Sequence, residues 1–179
     1  MTAVNVELQK LTVIKYPDPR LAKICEPVTH FDGDLAALAR RMLELMHTGR
    51  GIGLAGPQVG ALKRIFVMNA TGEEEDDMIF VNPEIRDMHG SREAEEGCLS
   101  FPDVYVQIRR AARCRIVAQD LNGERIEREG DDLLARVWQH ETDHLNGILI
   151  TDRMGPGDKI ATKKKLRELE TAYKANKRR

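Results

Sequence analysis

The hexapeptide Gln139-His140-Glu141-Thr142-Asp143-His144 sets two imidazoles four residues apart with a carboxylate between them. On an α-helix, positions i and i+4 share a face, so His140 and His144 can grip one metal ion together. Glu141 lies one step round from His140, within reach of a water held by that ion. This is the H-E-x-x-H arrangement, which generates hydroxide at neutral pH. A helix with two ordinary histidines is the alternative, because matches this short also arise by chance. The rest of the chain has to decide what such a metal would do.

At 179 residues the chain reads as one domain with a core that needs no disulfides. Its 41% apolar and 32% charged residues fit a soluble globular protein, and no apolar run approaches a transmembrane length. Met1 to Lys10 lacks the charged-then-apolar plan of a signal peptide. Three cysteines, Cys25, Cys98 and Cys114, are too few and too odd for a disulfide framework. They fit a reducing cytosol, with one of them free to serve as a thiolate ligand. Charge is unevenly spread. Between Asp158 and Arg179 nine Lys/Arg face three acids, a net of +6, which leaves −7 on the remainder of a chain whose formal charge is −1. Such a tail suits an anionic partner, or is a solvated helix face.

Tyr16-Pro17-Asp18-Pro19 is a rigid extended or turning element. Leu35, Leu38, Met42, Leu45 and Met46 have helical spacing, predicting a helix over Asp34–Thr48 with Asp34 as N-cap and Gly49 as stop. Arg64–Met68 and Met78–Asn82 read as a hairpin with an acidic, solvated tip over Glu73–Asp77. Val104–Ile108, Cys114–Ala118 and Glu124–Arg128 are further strands, the last two joined at Asn122-Gly123. A helix then begins near Asp131 and stops at Asn146-Gly147, and a last amphipathic helix carries Leu166, Leu169 and Tyr173 on one side. Strands first and few helices argue for an α+β fold.

A catalytic tetrahedral site needs three protein ligands. In zinc proteases a third ligand often follows on a later helix, and Glu168, 24 residues past His144, is a formal candidate, but it sits among lysines. Cys98, in Glu95-Glu96-Gly97-Cys98-Leu99-Ser100, is the better choice: a thiolate suits iron, zinc or cobalt, and Gly97 allows close backbone approach. Cys25 and Cys114 read as core residues. Gly51-Ile52-Gly53-Leu54-Ala55-Gly56-Pro57-Gln58-Val59-Gly60 lacks the Lys-Ser/Thr of a phosphate loop. Its bare backbone suits a loop beside a ligand, with the Gln58 amide as donor to a developing oxyanion.

Together the Gly51–Gly60 segment, Glu96–Ser100 and Gln139–His144 resemble, in order, the three motifs of the peptide deformylase family, and the likeness runs from about Ile14 to Thr151. The resemblance implies antiparallel strands packed round a central helix bearing both histidines, with a C-terminal helix. It divides the chain into a metallohydrolase domain over 1–157 and a basic C-terminal helix over 158–179. It implies removal of formyl from the N-terminal N-formylmethionine of new polypeptides, by hydroxide generated at a single divalent ion. Cys98, His140 and His144 would hold that ion, ferrous iron in the cell and replaceable by zinc, nickel or cobalt. Glu141 would carry protons, Gln58 and the Leu99 backbone N–H would bind the oxyanion, and Gly53 and Gly97 would pair with a strand-like substrate. Ile52, Leu133 and Val137 would line the methionine pocket, and Glu96 would pair with Arg110. Nascent formylated peptides are the expected partners, with the ribosome a further one for the basic helix. No membrane and no sequence-specific nucleic acid is expected, and the compartment is the bacterial cytosol or an organelle. Gly56, Phe101-Pro102-Asp103 and Tyr105 depart from the common pattern, and Arg136 lies one turn before His140 at the pocket rim.

Two other readings remain at this point. An H-E-x-x-H peptidase would take Glu168 or a histidine as third ligand. A closed structural metal site would need a fourth ligand, and His89 and Cys114 have no spacing relation to the others.

Overall fold

In the computed structural model, which describes residues 7–177, the hydrophobic β2 (Ile65–Met68) is buried along its whole length. The reason is that both faces of its sheet are covered. An antiparallel five-stranded sheet has the order β1 (Gly53–Ala55), β2, β3 (Met78–His89), β6 (Arg113–Gln119), β7 (Arg125–Asp131). On one face Ile65, Val67 and Leu54 meet Leu35, Met42 and Met46 of α1 (Gly33–Thr48). On the other, Phe66, Met68, Phe80 and Ile116 meet Val137, Trp138 and Leu145 of α2 (Asp132–Leu145), the helix with both histidines. A separate hairpin pairs β4 (Arg92–Cys98) with β5 (Phe101–Arg110). Its Val104, Val106 and Ile108 pack on Leu149, Ile150 and Met154, in and beside the short α3 (Ile150–Arg153), and on Leu166 and Leu169 of α4 (Pro156–Asn176). The fold is α+β with antiparallel sheets, as the sequence leads one to expect.

Several local expectations need correction. Asp32, not Asp34, caps α1: its carboxylate accepts from the N–H groups of Asp34 and Leu35. β3 is far longer than its apolar run and passes through Pro83, with register shifts and positive φ at Asn82 and Asp87. The acidic Arg92–Cys98 is a strand because it pairs along β5, and Gly53–Ala55 is a strand because it pairs with β2. The acidic tip between β2 and β3 is fully exposed over Glu74–Asp76. Among the described residues no helix is long and apolar enough to cross a membrane. The expectation about Met1 to Lys10 falls in part on residues 1–6, and Arg178 and Arg179 of the basic tail lie beyond the described residues.

Candidate metal centre and cleft

α2 runs across the sheet and stops at Asn146, after which Gly147 adopts φ +72°. A Cβ at Gly147 would lie 2.6 Å from the Ala22 carbonyl oxygen, so only glycine allows the chain to turn away there. The helix aims His140, Glu141 and His144 at the end of β4. The register shift between Gly97 and Cys98 turns the Cys98 side chain out of the β4–β5 ladder to meet them. Cys98 Sγ lies 3.3 Å from His144 Nε2, and the His140 and His144 rings stand nearly edge to face. One potential ligand atom from each of Cys98, His140 and His144 falls within 4.8 Å of the others. Glu168 is exposed on α4 and is not part of this group.

The surroundings hold that geometry. Glu96, buried on β4, takes His140 Nδ1 at 2.9 Å, which leaves Nε2 to face the cluster. The same carboxylate accepts from Arg110 Nε at 2.6 Å and Nη2 at 3.0 Å, and from Arg136 Nη1 at 2.6 Å. Arg110 continues to Asp143, which also accepts from Arg153. Burial works against the Glu96 charge, but the hydrogen bonds from His140 and Arg110 outweigh it and hold the carboxyl down at about 2. Burial likewise disfavours a charged His140, but its bonds to Cys98 and Glu96 raise it well above an ordinary histidine. His144 is lowered by burial and by the neighbouring His140.

Glu141 is 3% exposed, and burial raises its carboxyl to about 7. Its Oε2 has no hydrogen-bond partner among the described residues. Leaving such an oxygen buried and unpaired is costly. An orphaned carboxylate oxygen beside a thiol and two imidazoles that converge is the pattern expected of a site for a borderline-soft divalent ion and its water, and the residues fit one.

The centre forms the inner end of a cleft of about 470 Å³. Cys98, His140 and Glu141 line it, and so do Gln58, Leu99, Gly53, Gly97, Ile52, Leu133 and Val137. His144 is buried behind it. Gln58 is fixed by its own turn: Oε1 accepts from the Ala55 N–H at 2.8 Å, which points Nε2 at Cys98 Sγ, 3.3 Å away. Gly53 is pressed against the centre, since a Cβ there would lie 2.3 Å from Glu141 Oε1. β1 pairs only with β2 and β4 only with β5, so the cleft is flanked by two strand edges free of pairing.

One contributor to this geometry is not legible in the sequence. The segment from Ile14 to Tyr16 straps the two sides together: the Ile14 N–H donates to Gln58 O, the Tyr16 N–H to Ser100 O, and Lys15 Nζ to Leu99 O at 2.6 Å. Its only signal in the sequence is the rigid Tyr16-Pro17 that follows. Asp143 lies in plain view within the helix motif, but its partners Arg110 and Arg153 come from distant positions. Arg136, expected at the pocket rim, lines the cleft, and so does Tyr105.

The polypeptide deformylase family matches the chain over residues 10–159. The peptide deformylase of Acidobacterium capsulatum is 41% identical over 162 residues, covering 89% of this chain and 95% of that protein. That of Thermotoga maritima is 43% identical over 160 residues, covering 89% and 96%. Among solved structures, a peptide deformylase from Plasmodium falciparum superposes with a TM-score of 0.89 at 40% identity, covering 92% of this chain and 98% of that one. A plant peptide deformylase gives 0.90 at 36% identity, covering 93% and 92%. With sequence and fold in agreement along nearly its whole length, the chain belongs to the polypeptide deformylase family.

Proposed function

We propose that this chain removes the formyl group from the N-terminal N-formylmethionine of newly made polypeptides and releases formate. The observation that carries the reading is the convergence of Cys98, His140 and His144 beside Glu141 at the inner end of the cleft. These three residues would hold one divalent ion, ferrous iron in the cell, with zinc, nickel or cobalt able to replace it. When bound, such an ion supplies Lewis acidity and makes hydroxide available near neutral pH.

Glu141 takes the proton of the attacking water and returns it to the leaving amine. Its carboxylate is buried at the centre with one oxygen that has no hydrogen-bond partner among the described residues, which leaves it free to exchange a proton in both directions. Gln58 Nε2 and the Leu99 N–H donate to the formyl oxygen as it gains charge. The open edges of β1 and β4, at Gly53 and Gly97, receive the peptide as an added strand. Ile52, Leu133 and Val137 take up the methionine side chain. This machinery belongs to a metallohydrolase domain over 1–157, and the basic segment over 158–179 extends from it, its described part running along α4.

The test is formate release from formyl-Met-Ala-Ser by anaerobically prepared protein. Formate with an intact Met-Ala bond is the expected result. Cleavage inside the peptide without formate would make the chain a peptidase instead.

The place of action is the bacterial cytosol, with an organelle the alternative, and the exposed face of α4 docks on the ribosome near the nascent chain. Lys163, Lys164 and Arg167 are exposed there, while Leu166 and Leu169 face the core. Changing the three cations to glutamine keeps the packed face. Ribosome pelleting that is unchanged by the triple substitution would leave α4 with a packing role alone.

A further inference from the structure

The β4–β5 hairpin has two chemically different faces. Glu96 and Ala94 share the inner face with Val106 and Ile108, and Glu96 reaches Arg136 and His140 on α2 from there. Gly97, opposite Tyr105, and Glu95, opposite Gln107, lie on the outer face. Tyr105 is 63% exposed and lines the cleft. A Cβ at Gly97 would come within 2.9 Å of the Tyr105 ring, so the ring lies across Gly97 and toward the unpaired edge of β4. Glu95 lines the same wall, is exposed, and has no ion-pair partner among the described residues.

Successive side chains of a strand point to opposite faces. A peptide laid along β4 with its methionine turned inward, toward Leu133 and Val137, must turn its second side chain outward. That side chain emerges on the outer face, which Tyr105 and Glu95 share as diagonal neighbours across the β4–β5 pair. We infer that Tyr105 and Glu95 form a subsite for the second residue of the formylated peptide and select lysine or arginine there. This rests on the deformylase reading and adds to it a preference that the chemistry at the formyl group does not set.

The charges around the cleft are sorted in a way that supports this. Lys15 and Arg50, cations that also line the cleft, gather about Leu99: Lys15 binds Leu99 O, and a Cβ on either neighbour of Arg50, Gly49 or Gly51, would touch the Leu99 side chain. Arg109, on the outer face of β5, is engaged by Glu93 at 3.4 Å. Asp103, at the mouth, is engaged by Lys165 of α4. Glu95 therefore remains as the unengaged acid beside an aromatic face, the combination that holds a cation by charge and by cation–π attraction.

The test compares kcat/KM for formyl-Met-Lys-Ser, formyl-Met-Ala-Ser and formyl-Met-Glu-Ser at low ionic strength, in the wild type and in Glu95→Gln, Tyr105→Phe and Tyr105→Ala. An exposed ion pair and a cation–π contact together predict about a tenfold preference for lysine over glutamate. That ratio should fall to about threefold or less in Glu95→Gln and in 0.5 M salt. It should hold in Tyr105→Phe and drop in Tyr105→Ala, because the ring and not the hydroxyl makes the contact. Equal wild-type rates on the three peptides overturn the subsite while leaving deformylation intact. So does a lysine preference that survives both Glu95→Gln and Tyr105→Ala. Absence of formate from all three peptides overturns the deformylase reading itself, and the subsite with it.

Discussion

Glu96 Oε2 lies 2.9 Å from His140 Nδ1, and the same buried carboxylate is shared by Arg110 and Arg136. One side chain thus orients an imidazole of the candidate metal centre and pairs with two guanidiniums, of which that of Arg110 is only 4% exposed. Glu96→Gln keeps the shape and removes the charge. Removing one partner of a buried pair costs about 3–5 kcal/mol, because the other charge is left behind. Loss of a carboxylate behind a ligating histidine weakens metal binding by about 10–100-fold. Denaturant titration of the metal-free protein and chelator competition measure the two effects separately. A variant with wild-type values in both would deny Glu96 this double part.

Glu141 has no ion-pair partner among the described residues, and its Oε2 has no hydrogen-bond partner there, so it is not needed to hold the cluster together. Glu141→Ala should retain one ion per chain and lose about 10²–10⁴ in kcat, the usual range for a positioned proton-transfer group. Metal analysis alongside turnover checks it. An active, metal-loaded Glu141→Ala protein would remove the carboxylate from the chemistry.

Gln58 is 1% exposed and held at both ends, by the Ala55 N–H at Oε1 and by contacts to Cys98 Sγ and Ser100 Oγ at Nε2. Loss of one oxyanion donor typically costs about 10²–10³ in kcat. Gln58→Leu should show that loss with little change in KM, since the donor works on charge that develops only in the transition state. The unpaired Ala55 N–H should also lower stability by about 1–3 kcal/mol. A rise in KM at constant kcat would instead mark Gln58 as a ground-state binding residue.

The two remaining readings of the third ligand make opposite claims about metal content. Cys98 Sγ is within the ligand cluster, while Glu168 is exposed on α4. Cys98→Ala should purify with little bound metal, and Glu168→Ala should carry as much as the wild type. Elemental analysis of the two proteins decides between them.

The parts of the fold that are legible in the sequence are those with a repeating pattern. α1 and α2 carry apolar faces at helical spacing, and β5 and β6 alternate buried and exposed residues. β4 is different. Its Arg-Glu-Ala-Glu-Glu-Gly-Cys has little intrinsic strand preference, and it becomes a strand only through pairing with β5. β3 continues past Pro83 because β6 pairs with it across two irregularities. The histidine pair of the candidate metal centre could be read from a local motif, since spacing along a helix fixes where His140 and His144 point. The strap from Ile14 to Tyr16 and the Arg153–Asp143–Arg110 chain could not, because their partners are brought together only by tertiary packing.

Cys25 and Cys114 are 3% and 1% exposed, and burial pushes both thiols up to about 11. At pH 8 each is ionised about two orders of magnitude less than an ordinary thiol, and the thiolate is the nucleophile. Cys98 lines the cleft. Titration of the metal-free protein with an aromatic disulfide reagent should therefore find one fast thiol, and the same protein in guanidinium should yield all three. Adding zinc before the reagent should suppress the fast reaction, because the sulfur is then engaged as a ligand. Two fast thiols in the native protein would mean that the core around Trp138, where Cys25 and Cys114 both pack, is open to solvent. One fast thiol that zinc fails to protect would mean that Cys98 is accessible without being a ligand.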